Sequence, residues 1–270
     1  MFVRQFYKEE KVCKEVIQKL KEDCFFNFLL DDIKKGEVFP ALRKNEIHFY
    51  YAGQRLCRFK SKEWREVFME MKTPQTLQEY TDIKLACKKK GERNILTYMF
   101  KLYSPYYPNA NQEVKLLDYE IGFPQLHEFG NCQIDLLFLY VPAKTLIFVE
   151  AKEADDYRIN ITTKDGETAQ DLYSRLKVKK QIEKYKNNLQ RSEIAGAYRE
   201  CISVISEIFD INLPYDGLSI YPNPKLFVYG KPTENGKTCL MTLETVLGKN
   251  DYIFHQNPEE LSVESIIKGV

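Results

Sequence analysis

Two carboxylates stand inside strand-length apolar runs, where an unpaired charge is costly. Asp135 lies in CQIDLLFLYV (132–141), and Glu150 lies in TLIFVEAK (145–152). Because burying an isolated charge is strongly unfavourable, each acid needs solvent or a compensating partner. Two acids on neighbouring strands can face each other, and a divalent cation would offset their repulsion. Carboxylate oxygens with few His or Cys residues in the chain favour Mg²⁺ or Mn²⁺ over zinc.

A lysine shares the strand face of Glu150. Side chains two residues apart in a strand point to the same side, so Glu150 and Lys152 lie together while Ala151 points to the opposite face. A lysine beside a metal-bound water can orient that water or stabilise the charge that develops on a phosphate. These residue types are therefore suited to metal-assisted chemistry on a phosphate group. The competing interpretation is a set of salt bridges on a half-exposed sheet.

A basic helical segment follows these strands. Gln181 and Tyr185 are four residues apart, so they are neighbours on one helix face. Lys177 and Lys184 fall near that face, and Lys180 adds to the surrounding positive charge. Because nucleic-acid phosphates are bound largely through lysine and arginine, this segment is the best local phosphate-binding surface in the chain. The competing interpretation is a solvated basic face that binds no ligand.

The spacing of the strand residues resembles a known signature. Asp135, fourteen intervening residues and then Glu150-Ala151-Lys152, on two neighbouring strands, resemble the motif of the PD-(D/E)xK nuclease superfamily. The likeness spans about 75–230. It departs from the literal motif at one position, because Ile134 rather than proline precedes the first acid.

Two residues of the predicted helix relate the chain to one branch of this superfamily. Gln181 and Tyr185 are similar to the Q-x-x-x-Y element that follows the core motif in RecB-type members of the superfamily. The cysteines that hold an iron–sulfur cluster in some of those nucleases have no counterpart here. A helicase-type phosphate loop is also missing from the sequence.

The resemblance implies a divalent-metal-dependent nuclease, with DNA favoured as the substrate. Asp135, Glu150 and the backbone carbonyl of Ala151 would bind Mg²⁺ or Mn²⁺. The implied catalytic set comprises Asp135, Glu150, Lys152, Gln181 and Tyr185. The implied substrate-binding lysines are Lys177, Lys180 and Lys184.

A further acid is expected from the helix before the sheet or from the first core strand. The helix offers Glu79 and Glu92, and the strand offers Asp118 and Glu120. Asp118 and Glu120 share a strand face. Glu120 is the favoured additional metal ligand, because Asp-Tyr-Glu lies within the first core strand.

Apolar periodicity predicts the elements that must position these residues. The predicted helices are an amphipathic helix over 8–35, a short helix over 62–71, a helix over about 75–103 capped by Thr73 with Pro74 at its first position, and a region over about 167–209 broken near 192–196. The predicted strands are a hairpin over 46–59, an antiparallel meander over 114–123, 132–141 and 145–152, and a buried strand over 225–230. A mobile polar stretch is expected over 153–167, and a small αβ or irregular tail closes the chain.

This element order predicts an α/β fold with a mixed central sheet, and the resemblance implies a three-layer α/β/α restriction-endonuclease-like core. An N-terminal helix and hairpin would extend that core. The predicted division is 1–72 for the accessory segment, 73–235 for the core and 236–270 for a C-terminal tail.

Composition limits the function classes. The 270 residues carry a net charge of only +1, so any phosphate-binding surface must be local. Seven cysteines without C-x-x-C spacing, three scattered histidines and no secretion signal indicate a cytoplasmic protein with reduced thiols. No apolar run approaches the length of a membrane span.

The partner expected is nucleic acid, and the oligomeric state is open. The alternative function is a non-catalytic module that binds nucleic acid or protein on the same fold.

Overall fold

The structure is a computed structural model and describes residues 10–88, 94–123 and 132–270. The helices in chain order are α1 (Glu10–Lys21), α2 (Cys24–Lys34), α3 (Leu77–Lys88), α4 (Asn94–Tyr103), α5 (Ala169–Arg175), α6 (Lys177–Leu189), α7 (Glu193–Phe209), α8 (Glu234–Asp251) and α9 (Val263–Ile267). The strands are β1 (Val38–Arg43), β2 (Glu46–Tyr51), β3 (Gln54–Lys60), β4 (Glu63–Arg65), β5 (Val114–Phe123), β6 (Cys132–Tyr140), β7 (Thr145–Glu153), β8 (Ser219–Ile220), β9 (Lys225–Tyr229) and β10 (Tyr252–His255).

The chain divides into two compact units. The first runs to Asp118 and includes Ala195–Gly217, and the second comprises Tyr119–Ile194 and Leu218–Val270. Helices accompany a sheet in each unit, so the predicted α/β class is confirmed. The finer division at residues 72 and 235 stays a prediction.

The first unit contains an antiparallel sheet in the order β1-β2-β3-β4. The predicted hairpin over 46–59 is confirmed as β2 and β3. Its two turn residues, Ala52 and Gly53, both have positive φ, at 49° and 76°. A two-residue turn with positive φ at both residues matches the right-handed twist of the two strands that it joins.

The N-terminal helix prediction was too long. The span 8–35 contains two helices, because the Asp23 side chain accepts a hydrogen bond from the Phe25 N–H at 2.8 Å and caps the start of α2. A short polar residue that satisfies a free N–H group begins a new helix more favourably than it continues an old one.

The prediction of a helix over 62–71 was wrong. Glu63–Arg65 forms strand β4, and a short 3-10 turn follows at Phe68–Glu70. The Trp64 ring lies 4.5 Å from the ring of Phe25 and 5.0 Å from that of Phe59. This aromatic packing in the core outweighs the local helical preference of the segment.

The next helix begins later than predicted. Thr76 rather than Thr73 caps α3, because Thr76 Oγ1 accepts the Glu79 N–H at 3.2 Å and Glu79 Oε2 accepts the Thr76 N–H at 3.2 Å. This reciprocal pair is a capping box. The predicted helix over 75–103 corresponds to α3 and α4, and residues 89–93, with the candidate acid Glu92, lie outside the described residues.

A second sheet has the order β10-β9-β7-β6-β5, with β8 beside β7, and all of it except the first half of β5 belongs to the second unit. Strands β6 and β7 are antiparallel, while β9 pairs parallel with both β7 and β10, so the mixed sheet is confirmed. The near-continuous burial of β7 and β9 matches strands that are covered on both faces.

The long helical region after β7 is broken twice. Leu176 has an extended backbone, at φ −66° and ψ 128°, and separates α5 from α6. The second break, at 190–192, precedes α7 and lies close to the predicted one. Strand β10 was not predicted as part of the sheet, because its short apolar run gains a partner only through parallel pairing with β9. Among the described residues, no helix combines the length and apolar character required to cross a membrane.

Candidate functional site

The pairing of β6 with β7 brings Asp135 to Glu150-Ala151-Lys152. The antiparallel register pairs Leu136 with Val149, so the next residues outward along the two strands are Asp135 and Glu150. Asp135 Oδ2 accepts a hydrogen bond from the Ala151 N–H at 2.9 Å. The aspartate side chain therefore reaches the backbone of β7 and fixes the two acids on neighbouring strands.

The Lys152 ammonium lies among three oxygen atoms. It donates to Glu150 Oε1 and, at 3.0 Å, to the Ala151 carbonyl. Asp135 Oδ2 lies 3.5 Å from the same nitrogen. Glu150 and Lys152 are buried, with side chains 2% and 4% exposed, so this cluster has little solvent screening.

These oxygens are the donors that the sequence predicts for a metal ion. The described residues contain no group of three or more His, Cys, Asp or Glu side chains placed to hold a metal, so Glu120 is not brought together with Asp135 and Glu150 in this way. Two carboxylates and a backbone carbonyl nevertheless fit Mg²⁺, which binds few protein oxygens and keeps several waters.

One atom of the cluster strengthens this fit. Glu150 Oε2 is buried and accepts no well-formed hydrogen bond from the described residues, although the Tyr185 hydroxyl is near enough to favour the charged carboxylate. A buried carboxylate oxygen without a partner is costly, so its presence requires an explanation. A bound cation would satisfy it.

The environment of Glu150 also changes its acidity. Burial, followed by the nearby charge of Asp135, raises the pKa of Glu150 to about 7, although Lys152 and the Tyr185 hydroxyl lower it. The ordinary value is 4.5. Near neutral pH this carboxyl group therefore exchanges readily between its neutral and charged forms.

The acidity of Glu150 makes the stability of the metal-free protein depend on pH. The folded protein keeps the Glu150 proton up to about pH 7, whereas the unfolded chain releases it near 4.5, so folding binds a proton between these values. The contribution is fully present below 4.5 and is lost as pH rises through 7. We expect the free energy of unfolding of the native sequence to fall relative to Glu150→Gln over this window, by up to about 3 kcal/mol.

Urea unfolding of both proteins in a metal chelator, at half-unit steps of pH, measures this difference. Glu183→Gln, an exposed change in the same unit, provides the matched control and should show no such trend. A constant difference between the native protein and Glu150→Gln across the window would contradict the elevated pKa.

Helix α6 carries the other two predicted site residues toward β6. The Tyr185 hydroxyl donates to the Gln133 carbonyl at 2.5 Å, two residues before Asp135. Gln181 Oε1 is buried and has no hydrogen-bond donor among the described residues. Tyr185 thus holds the start of β6 through the backbone, while Gln181 keeps an available acceptor. Their predicted roles in orienting water or phosphate stay predictions.

The predicted phosphate-binding lysines differ in exposure. Lys177 and Lys180 are exposed at the start of α6, and Lys184 is half-buried. The Lys177 ammonium lies 4.6 Å from the centre of the Tyr157 ring. The first turn of α6 holds no acidic residue, and Leu176 at the N-cap supplies no side-chain hydrogen bond. The positive end of the helix is therefore not neutralised by its own first turn.

The remaining candidate acids have other partners. Asp118 is buried in the first unit, where it accepts from Arg43 at 2.6 Å and from the Tyr198 hydroxyl at 2.8 Å. Glu79 belongs to the capping box of α3. Glu120 has a positive φ of 52° and accepts from the Tyr119 hydroxyl at 3.2 Å. Asp118 and Glu79 thus have structural roles that strand and helix periodicity do not reveal.

Sequence reasoning missed the turn that follows β7. Tyr157 and Arg158 lie in the stretch expected to be a mobile polar connection, yet Arg158 donates twice to Asp156, including a 2.8 Å contact from its Nε atom. A single aromatic residue flanked by charges in a polar stretch was the available signal.

Comparison of the chain with models of protein families, with curated proteins and with solved structures finds no match.

Proposed function

We propose that this chain is a divalent-metal-dependent nuclease that hydrolyses phosphodiester bonds of nucleic acid, with DNA as the favoured substrate. The observation that carries the proposal is the convergence of oxygens from Asp135, Glu150 and Ala151 on one buried cation, the Lys152 ammonium, because the same oxygens would hold a metal ion. Two neighbouring strands supply these atoms, and Glu150 keeps a second oxygen without a partner.

Asp135, Glu150 and the Ala151 carbonyl would hold Mg²⁺ or Mn²⁺, which supplies Lewis-acid chemistry and acidifies a bound water. The lysine supplies the other half of the chemistry. Lys152 carries a buried positive charge, and in this setting it stabilises negative charge on the phosphate more strongly than it would in water. A metal ion that took over the oxygens around the ammonium would leave its N–H donors able to hold a water beside the phosphorus atom.

Residues of α6 would complete the site. The buried oxygen of the Gln181 amide accepts no hydrogen bond from the described residues, so it can accept one from the attacking water. Tyr185 is a positioning residue. Its hydroxyl donates to the Gln133 carbonyl and so holds in place the strand that carries Asp135. Lys177, Lys180 and Lys184 would contact substrate phosphates.

The fold supports the same proposal. An antiparallel pair of strands, a helix and a parallel neighbouring strand occur in the order β6, β7, α6 and β9. This order agrees with a restriction-endonuclease-like core and with membership of the PD-(D/E)xK superfamily, and both assignments are part of the proposal.

A second candidate function has its own support. The Lys152 ammonium already neutralises Glu150 and lies close to Asp135, as expected if the carboxylates were paired off in a module that binds without cleaving. Nucleic acid or a protein would then be bound on the same fold with no catalytic role for the acids.

A cleavage assay separates the two functions. The purified full chain is incubated with labelled single-stranded DNA, duplex DNA or RNA in Mg²⁺, in Mn²⁺ or in a chelator. The nuclease proposal expects products in metal and none in chelator. Intact substrates in every metal, at protein concentrations where binding is saturated, would leave the binding module as the function.

A further inference from the structure

Tyr157 is an exposed aromatic ring just beyond the strand that carries Glu150 and Lys152. Its side chain is 63% exposed. Among the described residues of the second unit, no other aromatic side chain is exposed. Most aromatic rings of that unit are buried in the core, so this ring is the one whose face is open to a ligand.

The turn that presents the ring is well anchored. The Ile159 and Asn160 N–H groups both donate to the Asp156 carbonyl at 2.9 Å, and the Ile159 side chain is fully buried. The Arg158 carbonyl accepts the Val178 N–H of α6 at 3.1 Å. A ring held in this way loses little conformational freedom when a ligand binds.

Two cations accompany the ring. The Lys177 ammonium lies 4.6 Å and the Arg158 guanidinium 5.5 Å from its centre. Lys177 is exposed, so its charge remains accessible beside the ring. An exposed aromatic surface with adjacent positive charge is the combination that binds unpaired nucleotides, through base stacking and phosphate attraction.

The cluster adjoins the candidate active site. Tyr157 follows Lys152 by five positions in the sequence, a reach of at most about 18 Å of extended chain. The hydrogen bonds that Arg158 donates to Asp156 are the main cause that raises the pKa of Arg158, and the charge of Glu150 adds to it. Lys177 stands one turn before Gln181, so both lie on the same stripe of α6.

We propose that Tyr157 and Lys177 form a binding subsite for an unpaired nucleotide next to the phosphate to be cleaved. The ring stacks on the base, and the ammonium binds a backbone phosphate. Bases inside a duplex are already stacked and paired, so the subsite selects single-stranded nucleic acid or a frayed end. This inference rests on the proposed nuclease function for its orientation, and it adds the strandedness of the substrate.

Binding in the absence of metal tests the subsite without cleavage. The probe is a fluorescein-labelled thymidine oligonucleotide of about 12 nucleotides, a length that covers one stacking site, with the corresponding RNA and a blunt DNA duplex as further arms. Fluorescence anisotropy of the full chain in a chelator gives the affinities. We expect Tyr157→Ala to weaken binding of the single strand about tenfold and Tyr157→Phe to retain it.

Matched variants isolate the two contacts. Tyr215→Ala removes another exposed tyrosine, 40% exposed, and should leave binding unchanged. Lys177→Gln should reduce the steepness of the plot of log K against log [salt] by about one, the value of a single phosphate contact. Lys186→Gln, on the opposite side of α6, should leave that slope unchanged.

The inference and the nuclease proposal can fail separately. Binding that does not depend on Tyr157, equal loss on duplex and single strand, or no binding by the native chain would overturn the subsite, even if cleavage occurs. Tyr157-dependent binding of the single strand without cleavage in any metal would uphold the subsite and refute the nuclease.

Discussion

Replacing Lys152 by alanine is expected to slow the proposed cleavage strongly while it tightens the binding of Mn²⁺. Cleavage should fall by about 10²–10³-fold, the usual loss when a group that stabilises transition-state charge is removed. Binding of the metal should improve by at least about tenfold, because the ammonium competes for the same oxygens in a site of low dielectric. Activity and affinity thus change in opposite directions.

Asp135→Ala provides the contrast. It removes an oxygen from the cluster and frees the Ala151 N–H, so both cleavage and Mn²⁺ binding should be lost. Lys186→Ala, an exposed change on α6, serves as the control and should alter neither. Isothermal titration with Mn²⁺ measures affinity, and single-turnover cleavage of labelled DNA measures chemistry.

Two outcomes would contradict this account. Full cleavage by Lys152→Ala would remove the lysine from the chemistry. Weaker Mn²⁺ binding by the same variant would show that the ammonium does not occupy the cation position. The opposite signs also distinguish a catalytic lysine from a merely structural one, since loss of folding would reduce both quantities.

The strands that carry the site were predictable because their signals are local. The apolar runs that became β6, β7 and β9 are bounded by turn residues, and their lengths match the observed strands within one residue at most boundaries. The facing positions of Asp135 and Glu150 follow from a short connection, which leaves two neighbouring strands little choice but antiparallel pairing. Residue spacing alone thus brought the core of the candidate site together.

Other parts of the fold depend on contacts that a sequence window does not contain. Trp64 turns a helix-like segment into β4, because its ring is held by aromatic residues from distant positions. Asp118 fits the pattern of a strand acid that faces an active site, yet its partners are Arg43 and Tyr198, which are 75 and 80 residues away. Tertiary contacts determine the conformation of Trp64 and the role of Asp118, and sequence periodicity carries no information about such contacts.

The roles within the site show the same limit. Strand alternation places Lys152 beside Glu150, but it does not show that the ammonium lies among three oxygens. Helix spacing pairs Gln181 with Tyr185, but it does not show that the tyrosine proton is used by the Gln133 carbonyl. Residue types therefore predict the chemistry, and the hydrogen bonds show which groups hold the strands of the candidate site in place.

The ion pair between Arg43 and Asp118 should be a major source of stability in the first unit. Asp118 is 1% exposed, and Arg43 donates to it at 2.6 Å. Burial is the largest single influence on Arg43 and lowers its pKa, but the charge of Asp118, its hydrogen bond and the nearby Tyr50 and Tyr198 together outweigh burial and raise the pKa. Arg43→Ala leaves a buried carboxylate without its cation, and we expect a loss of about 3–5 kcal/mol in the free energy of unfolding.

The same pair tests whether Asp118 is structural or catalytic. Urea unfolding followed by circular dichroism measures the loss, with Arg65→Ala as control, because the pair of Arg65 with Glu63 is exposed and should contribute less than about 1 kcal/mol. If Arg43→Ala does not fold, the milder Tyr198→Phe, which removes one hydrogen bond to Asp118, should still cost about 1–3 kcal/mol. Since the acid is neutralised by its own arginine, Tyr198→Phe should leave metal-dependent cleavage unchanged below its unfolding temperature. A selective loss of cleavage at full stability would instead make Asp118 the additional acid of the active site.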